Sequence, residues 1–479
     1  MTNRGRDSPK IGDGKPGQKI MTASWQRWIF LQFPFEVWLR NSYVYGGFGL
    51  LAPWRGGSWM LQWAEPLGAL IICGLLLLAP FVSTGVIGFL LLAGAAYWAL
   101  LSISDPPANY LTSIHILVFL YASVAAIAAV LSPVKAAAIS GLIKLCLYLL
   151  FFALSARVLR SPKILAGVIW VYLMLSLVVS GYGIRQEFFG VEQLATWNDP
   201  LSELANDTRV YSYLGNPNLL ASYLIPAIAF SAVAFLIWKT WPQKILAAVA
   251  FVCNTACVFL TDSRGGWLAL LAAGVVGALM LYVWYGDRLS PFWRRWLLPL
   301  CFAFSFGLLA VAVVAVDSIR IRLFSIFSWR GDSSNNFRIN VWYAVFRMIG
   351  DRPFLGIGPG NDAFNLMYPR YMESRFSALS AYSVILETAV EIGFIGLSIF
   401  CWLIINIFGQ GLQIVKHLRD HHKQEGLWLV GAIAGMAGLM TQGLFDTVWY
   451  RPQVNTLWWL MVGMIAAYYP QIKQFKQNG

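Results

Sequence analysis

Residues 61–103 read LQWAEPLGALIICGLLLLAPFVSTGVIGFLLLAGAAYWALLSI. The stretch holds two apolar runs, near 62–80 and 85–103, each close to the ~20 residues a helix needs to cross the hydrocarbon core of a bilayer. Ten more runs follow, near 111–131, 137–155, 165–183, 218–238, 245–261, 266–285, 296–316, 389–410, 427–445 and 453–468. The chain therefore reads as an all-α polytopic membrane protein. It is expected to have about twelve transmembrane helices, with a long exterior loop between the ninth and tenth.

Composition points the same way. Of 479 residues, 58% are hydrophobic and 12% charged, against roughly 25% charged in a soluble domain, which excludes an ordinary soluble enzyme. The net charge of +13 suits anionic lipid headgroups or an anionic substrate. The basic residues are split among short connections, so nucleic acid is not an expected partner. All six cysteines lie in apolar stretches, and no disulfide framework is visible. Cys253 and Cys257 are spaced to share a helix face as packing residues. No metal or cofactor is expected.

The organisation expected is a cytoplasmic polar tail (1–24), in which Met21 is an alternative start and no cleavable signal is seen, then an aromatic interfacial segment (25–58). Nine spans fill 59–316, an Arg-rich exterior loop fills 317–388, and three spans with a cytoplasmic tail fill 389–479. With the N-terminus in the cytoplasm of a plasma (inner) membrane protein, the lysine-bearing connections ARVLRSPK (156–163), KTWPQK (239–244) and VKHLRDHHKQEG (415–426) and the C-terminal tail fall inside, as the positive-inside tendency requires. His417, His421 and His422 then sit in a solvated basic loop. The connections 184–217 and 317–388 face the periplasm and are too long to be simple turns.

Between Asp317 and Ser383 stand eight arginines, including Arg338, Arg347 and Arg352, and no lysine. Guanidinium offers a planar donor fork that grips phosphate or carboxylate through two parallel hydrogen bonds. An oxyanion site is expected there, the alternative being that these arginines pair with loop acids or headgroups. Arg264 sits in TDSRGGW (261–267), where Gly265 and Gly266 permit a tight turn at the membrane surface.

Three clusters line the same side. Gly215, Asn216, Pro217 and Asn218 form a turn at the mouth of a span, able to bind sugar hydroxyls or to cap the helix. GIGPGND (356–362), with Gly358 and Gly360, is a glycine-rich turn that does not follow the dinucleotide fingerprint. Glu387 and Glu391, four apart, share a face where a helix enters the membrane, either to pair with an arginine or to handle a proton. Lys144 lies within its span, where an ammonium is costly enough to be a functional candidate, unless it snorkels outward. Asp446 is expected to pair with Arg451, and His115 to be a satisfied interfacial side chain.

TDSRGGW, FRINVW (337–342), GIGPGNDAF (356–364) and VEIGFIGL (390–397) resemble the O-antigen ligase and polymerase superfamily over most of 210–400. The segments 61–83 and AYWALLSISD (96–105) more narrowly resemble the cyanobacterial IctB family, assigned to bicarbonate transport. The superfamily resemblance implies metal-independent glycan transfer from a polyprenyl-diphosphate carrier, with Arg264 and Arg338 on the diphosphate. Its His-Asn, Leu, Glu-x-Gly pattern places Leu386, Glu391 and Gly393 on the matching positions, and Tyr382 and Ser383 where His and Asn are expected. Tyrosine, with a pKa of about 10, is a poor general base at neutral pH. Glu387 or Glu391 would then have to replace the histidine. The IctB resemblance implies inorganic-carbon accumulation, with bicarbonate on the arginines and Lys144 as a stepping point. A third reading is a non-catalytic protein that binds the carrier lipid. The expected partners are membrane lipids and either bicarbonate or a polyprenyl-diphosphate-linked glycan.

Overall fold

The computed structural model describes residues 49–105, 111–192, 194, 209–315, 320 and 333–477. The polar tail, most of the interfacial segment, and Arg322 and Arg330 lie outside the described residues. After two short helical turns come α1 (Ala64–Leu78), α2 (Thr84–Ser104), α3 (Ser113–Val130), α4 (Lys135–Val158) and α5 (Pro162–Phe189). Then follow α6 (Pro217–Ile237), α7 (Trp241–Leu260), α8 (Arg264–Tyr285), α9 (Pro291–Ala315), α10 (Ser333–Asp351) and α11 (Asn361–Met367). The chain closes with α12 (Val384–Asp420), α13 (Gly426–Gly443) and α14 (Pro452–Gln477). No strand occurs among the described residues.

Nine of the described helices are long and apolar enough to cross a membrane. The shorter α1, together with α9 and α14, occupies the three remaining apolar runs expected from sequence. These helices are apolar nearly all round, because lipid on one side and protein on the other reward the same side chains. Burial separates them. The most apolar windows of α6 and α13 are 72% and 83% buried, whereas that of α8 is 22% buried. Small residues let α13 sit at the centre: Gly431 lies against Phe230, Gly435 against Pro226 and Gly438 against Ile225.

Much of the described part of the segment expected as a long loop is helical. Val341, Ala344, Val345 and Met348 recur on one face of α10 and are buried. They join Phe364, Met367, Tyr368, Ala389 and Val390 in a second hydrophobic cluster. The reading of 317–388 as a connection missed this amphipathic stripe, which sits between polar residues and lacks the length of a span. The next helix also begins at Val384 rather than near 389.

The feature that shapes this end of the bundle is a break in α12. Gly393 has φ 69° and ψ −175° in mid-helix, a conformation essentially confined to glycine. Residues 353–358 fill the break. Ile357 and Gly358 N–H donate to the Val390 and Glu391 carbonyls at 2.9 Å, and Phe394 N–H donates to the Pro353 carbonyl at 2.7 Å. The backbone groups freed by the break are thus paired, which is the condition for irregular backbone at membrane depth. A Cβ on residue 393 would lie 2.1 Å from the Phe354 carbonyl oxygen.

Gly393→Ala is expected to cost about 3 kcal/mol or more, from the forced backbone and the clash with main chain. Gly274→Ala in α8, where a Cβ meets nothing within 4 Å, should be neutral or stabilising by up to about 1 kcal/mol. Thermal unfolding of the two variants in the same detergent checks the contrast.

Candidate functional site

The strap 353–362 continues from the helix break onto α4. Gly141 and Gly360 meet backbone to backbone: a Cβ on Gly141 would lie 2.7 Å from the Gly360 Cα. This contact sets Asp362 over α4, where Lys144 Nζ reaches its Oδ2 at 2.7 Å and Ser140 Oγ donates to the same oxygen at 3.2 Å. The lysine expected to need an explanation inside the bilayer therefore has a counter-ion, delivered by the glycine-rich turn. The hydrogen bond from Lys144 holds the Asp362 carboxyl below the ordinary aspartate range.

Between the strap, α4 and the first half of α12 lies a chamber of about 500 Å³. Lys144 and Tyr148 of α4, Asn361 and Asp362, and Glu387 and Glu391 face it, with Trp449, Arg451, Asn455 and Trp459 closing the far wall. Glu391 is held by the Gly360 backbone N–H. Glu387 is 7% exposed, and its Oε2 has no hydrogen-bond partner. Asn361 Oδ1, Trp449 Nε1 and Asn455 Oδ1 are likewise buried and unpartnered. Burying such atoms unsatisfied costs roughly 1–3 kcal/mol each.

Next to the chamber is a guanidinium cluster. Arg209 is 8% exposed; its Nε donates to the Thr261 carbonyl at 3.0 Å and its Nη2 to Asn218 Oδ1 at 3.4 Å. Asn218 Nδ2 donates to Asp446 Oδ2 at 2.8 Å. Arg338 donates through Nε to the Phe445 carbonyl at 2.9 Å and through Nη1 to Ser334 Oγ at 2.8 Å. Asp446 thus sits between Asn218 and the Arg338 and Arg209 charges. Burial raises its carboxyl above the ordinary range and the two guanidiniums pull it back. Arg451 lies over the Tyr450 ring, 4.8 Å from its centroid, so Asp446 faces Asn218 in place of the expected Arg451. Arg264 opens α8 in the same neighbourhood: Ser263 Oγ caps that helix on Gly266 N–H at 3.1 Å, and Gly265 faces Gln442, whose Nε2 donates to the Asn218 carbonyl at 2.9 Å.

Cluster and chamber share a wall. Thr447 faces the chamber, while its N–H donates to Asp446 Oδ1 at 2.7 Å and its Oγ1 to Ser380 Oγ at 3.0 Å. Tyr382, with φ +50°, packs edge-on against Phe337 at 5.4 Å and feels both Asp446 and Arg338. Burial pushes its phenol up to about 12, so it stays protonated at neutral pH and can donate a proton in a hydrogen bond but not accept one as a base.

The four arginines expected to act together divide. Arg338 stands at the cluster, and the start of α8 that carries Arg264 lies beside it. Arg347, about 13 Å further along α10 at 1.5 Å per residue, donates to the Tyr371 carbonyl at 2.6 Å. Arg352 reaches the Leu131 carbonyl at 3.4 Å, and both are exposed. Asn216 caps α6, accepting from Asn218 and Leu219 N–H at 2.9 and 3.1 Å. Gly358 and Gly360 belong to the strap. Sequence reasoning missed Arg209 as a member of the cluster and Asp362 as the partner of Lys144. The cost of an ammonium within a span without a carboxylate was a signal for the latter. At the opposite end, Arg288 faces His422 at 3.2 Å and Arg419 pairs with Asp287 at 3.0 Å. No group of three or more His, Cys, Asp or Glu placed to hold a metal occurs among the described residues.

Residues 249–401, about a third of the chain, match the family model Wzy_C, described as O-antigen ligase. This segment is similar to O-antigen ligases. The matched stretch contains Arg264, Arg338, Tyr382, Glu387, Glu391 and the strap, and leaves Arg209, Lys144 and Asp446 outside it. No curated protein matches the chain.

Lys144→Met removes the partner that keeps Asp362 ionised, so Asp362 should then protonate at a higher pH than in the wild type. The favourable interaction is present above the ordinary aspartate pKa of about 3.9 and is lost as pH falls through the lowered folded value. A pH titration of the infrared carboxyl band, with Asp362→Asn identifying the signal, checks the direction.

Proposed function

We propose that this protein is a lipid-linked glycan transferase of the O-antigen ligase or polymerase type, taking its donor from a polyprenyl-diphosphate carrier. The observation that carries the reading is the meeting of Arg209 and Arg338 at Asp446 and Asn218, one wall away from a chamber lined by Glu387 and Glu391. A diphosphate leaving group concentrates negative charge on oxygens. Preplaced guanidiniums at a dry membrane surface stabilise that charge as it develops.

In this scheme an acceptor hydroxyl attacks the anomeric carbon of the donor sugar. The bond from that carbon to the diphosphate oxygen breaks, and the polyprenyl diphosphate leaves against Arg209, Arg264 and Arg338. The acceptor proton passes to a carboxylate of the Glu387 and Glu391 pair at the chamber. A glutamate is preferred to Tyr382, whose phenol is held protonated. The chemistry belongs to the outer face of the inner membrane. Lysine-bearing connections such as 239–244 and 416–423 lie at the other end of the helices from Arg264 and Arg338, which supports cytoplasmic termini and a periplasmic site.

Bicarbonate accumulation of the IctB kind draws less support. It relies on Lys144 as a cationic stepping point, and Lys144 is engaged by Asp362.

Purified protein in vesicles with a polyprenyl-diphosphate-linked glycan and an acceptor extract should form a transferred product. Arg264→Ala or Arg338→Ala should lower the rate about 10²–10³-fold, and the double variant Glu387→Gln/Glu391→Gln about 10²–10⁴-fold. Tyr382→Phe should lower it less than about tenfold, since the base contribution is absent there. Full activity in both arginine variants rejects the reading; saturable uptake of labelled bicarbonate without transfer would favour transport, and carrier binding without either would favour a non-catalytic lipid-binding protein.

A further inference from the structure

The last turns of α5 stand higher than a span requires. Its 28 residues cover about 42 Å at 1.5 Å each, against a hydrocarbon core of about 30 Å, and an ordinary tilt of about 20° removes little of the excess. Lys163 sits in the first turn, at the end of the lysine-bearing connections, so the excess emerges at the outer end. The emergent turns close with Phe188 and Phe189, 79% and 78% exposed. Lipid tails do not account for two adjacent phenyl rings at that height, and apolar groups left open as part of a patch mark a contact surface.

These rings belong to such a patch. Tyr182 stacks on Tyr213 with ring centres 4.3 Å apart, and Tyr213 meets Phe81, in the turn between α1 and α2, edge-on at 4.8 Å. Arg185 extends the contact the other way, its guanidinium 5.9 Å from the Tyr182 ring centre and 5.3 Å from that of Phe189. The result is one continuous row, with Phe81 and Tyr213 47% and 42% exposed.

Buried polar contacts hold the row in place. Tyr213 lies in a single 3-10 turn, Ser212–Leu214, which is tied down on α5. Gln186 Oε1 accepts from the N–H groups of Tyr211 and Ser212 at 3.0 and 2.7 Å, and Ser212 Oγ donates to the Val179 carbonyl at 2.7 Å. Ser212 has φ +50°, a left-handed conformation that persists in a serine only where the surroundings impose it and that clusters at functional sites.

Position then selects the occupant. The same segment joins Arg209 to Asn218 of the guanidinium cluster, and the chain from Arg209 to Tyr213 spans at most about 14 Å. Exposed rings with a guanidinium among them match a sugar chain: the C–H face of a pyranose packs on a ring, and its hydroxyls accept from the guanidinium. An interfacial belt would keep its rings at headgroup level, whereas this row climbs α5 from Tyr182 to Phe189, about 10 Å along the axis.

We propose that this aromatic row is an exterior glycan-binding platform that carries the sugar chain of the lipid-linked donor beyond the sugar being transferred. Calling that chain a donor rests on the transferase reading above. As a surface for a sugar chain the platform stands on its own residues.

The test compares the affinity of two ligands for the full chain in phosphatidylcholine nanodiscs: a polyprenyl diphosphate bearing one N-acetylhexosamine, and the same carrier bearing a neutral oligosaccharide that begins with that sugar. The wild type should prefer the longer ligand. Phe81→Ala/Tyr213→Ala should weaken binding of the longer ligand about tenfold and leave the single-sugar ligand unchanged, while Tyr213→Phe, which keeps the ring, should behave as the wild type. Thermal unfolding controls for folding, and if the double variant does not fold, Phe189→Ala at the exposed helix end takes its place with the same two ligands. No preference in the wild type, or equal weakening of both ligands, overturns the platform. So does weakening of neither, the outcome expected of rings that only anchor a helix among headgroups. Arg264→Ala should weaken both ligands alike. A platform effect without an effect of Arg264→Ala would sink the diphosphate assignment and leave the platform standing, and the reverse result would remove the platform and leave the transferase reading intact.

Discussion

A helix inside a bilayer cannot leave its backbone groups open, and this protein breaks one. The interruption of α12 at Gly393 survives because residues 353–358 supply main-chain donors and acceptors to both halves. That repair is the constraint on which the rest of the outer end depends. It pulls the strap inward against α4 through the Gly141 and Gly360 contact and brings Asp362 to Lys144. It also fixes the first half of α12, so that Glu387 and Glu391 face a chamber rather than lipid.

The arginines follow a second logic. Arg209 and Arg338 are held by backbone carbonyls, Ser334 and Asn218, and both act on the buried carboxylate of Asp446. Such an arrangement fixes two guanidiniums at one point of the outer end. Arg347 and Arg352, spent on surface carbonyls of other segments, serve to hold the exterior helices together.

Much of the architecture was legible in the sequence because lipid imposes a length and a polarity on every span. Each expected apolar run carries a helix. What escaped was structure whose signal is short. The α10 stripe of Val341, Ala344, Val345 and Met348 is too brief and too polar around its edges to stand out from a connection. The meeting of Arg209, Asn218 and Asp446 joins residues more than two hundred positions apart, and no local pattern encodes it. Glu391 and Gly393 could be placed by resemblance, yet the physical reason for their pairing, a carboxylate beside a helix break, appeared only with the strap in view. The tyrosine standing where a histidine is expected was readable at once, but the burial that keeps its phenol protonated was not.

The strap is stitched to the broken helix by main-chain atoms. Amide and carbonyl groups are common to nearly every residue, so the scaffold does not care which side chains project from it, apart from the glycines at its tight points. The floor of the cavity and the chemistry of its walls are therefore separable properties. Exchanging Asn361, Trp449 or Asn455 for other residues would retune what is recognised without re-engineering the frame, which makes this end of the molecule a natural starting point for redirecting its specificity.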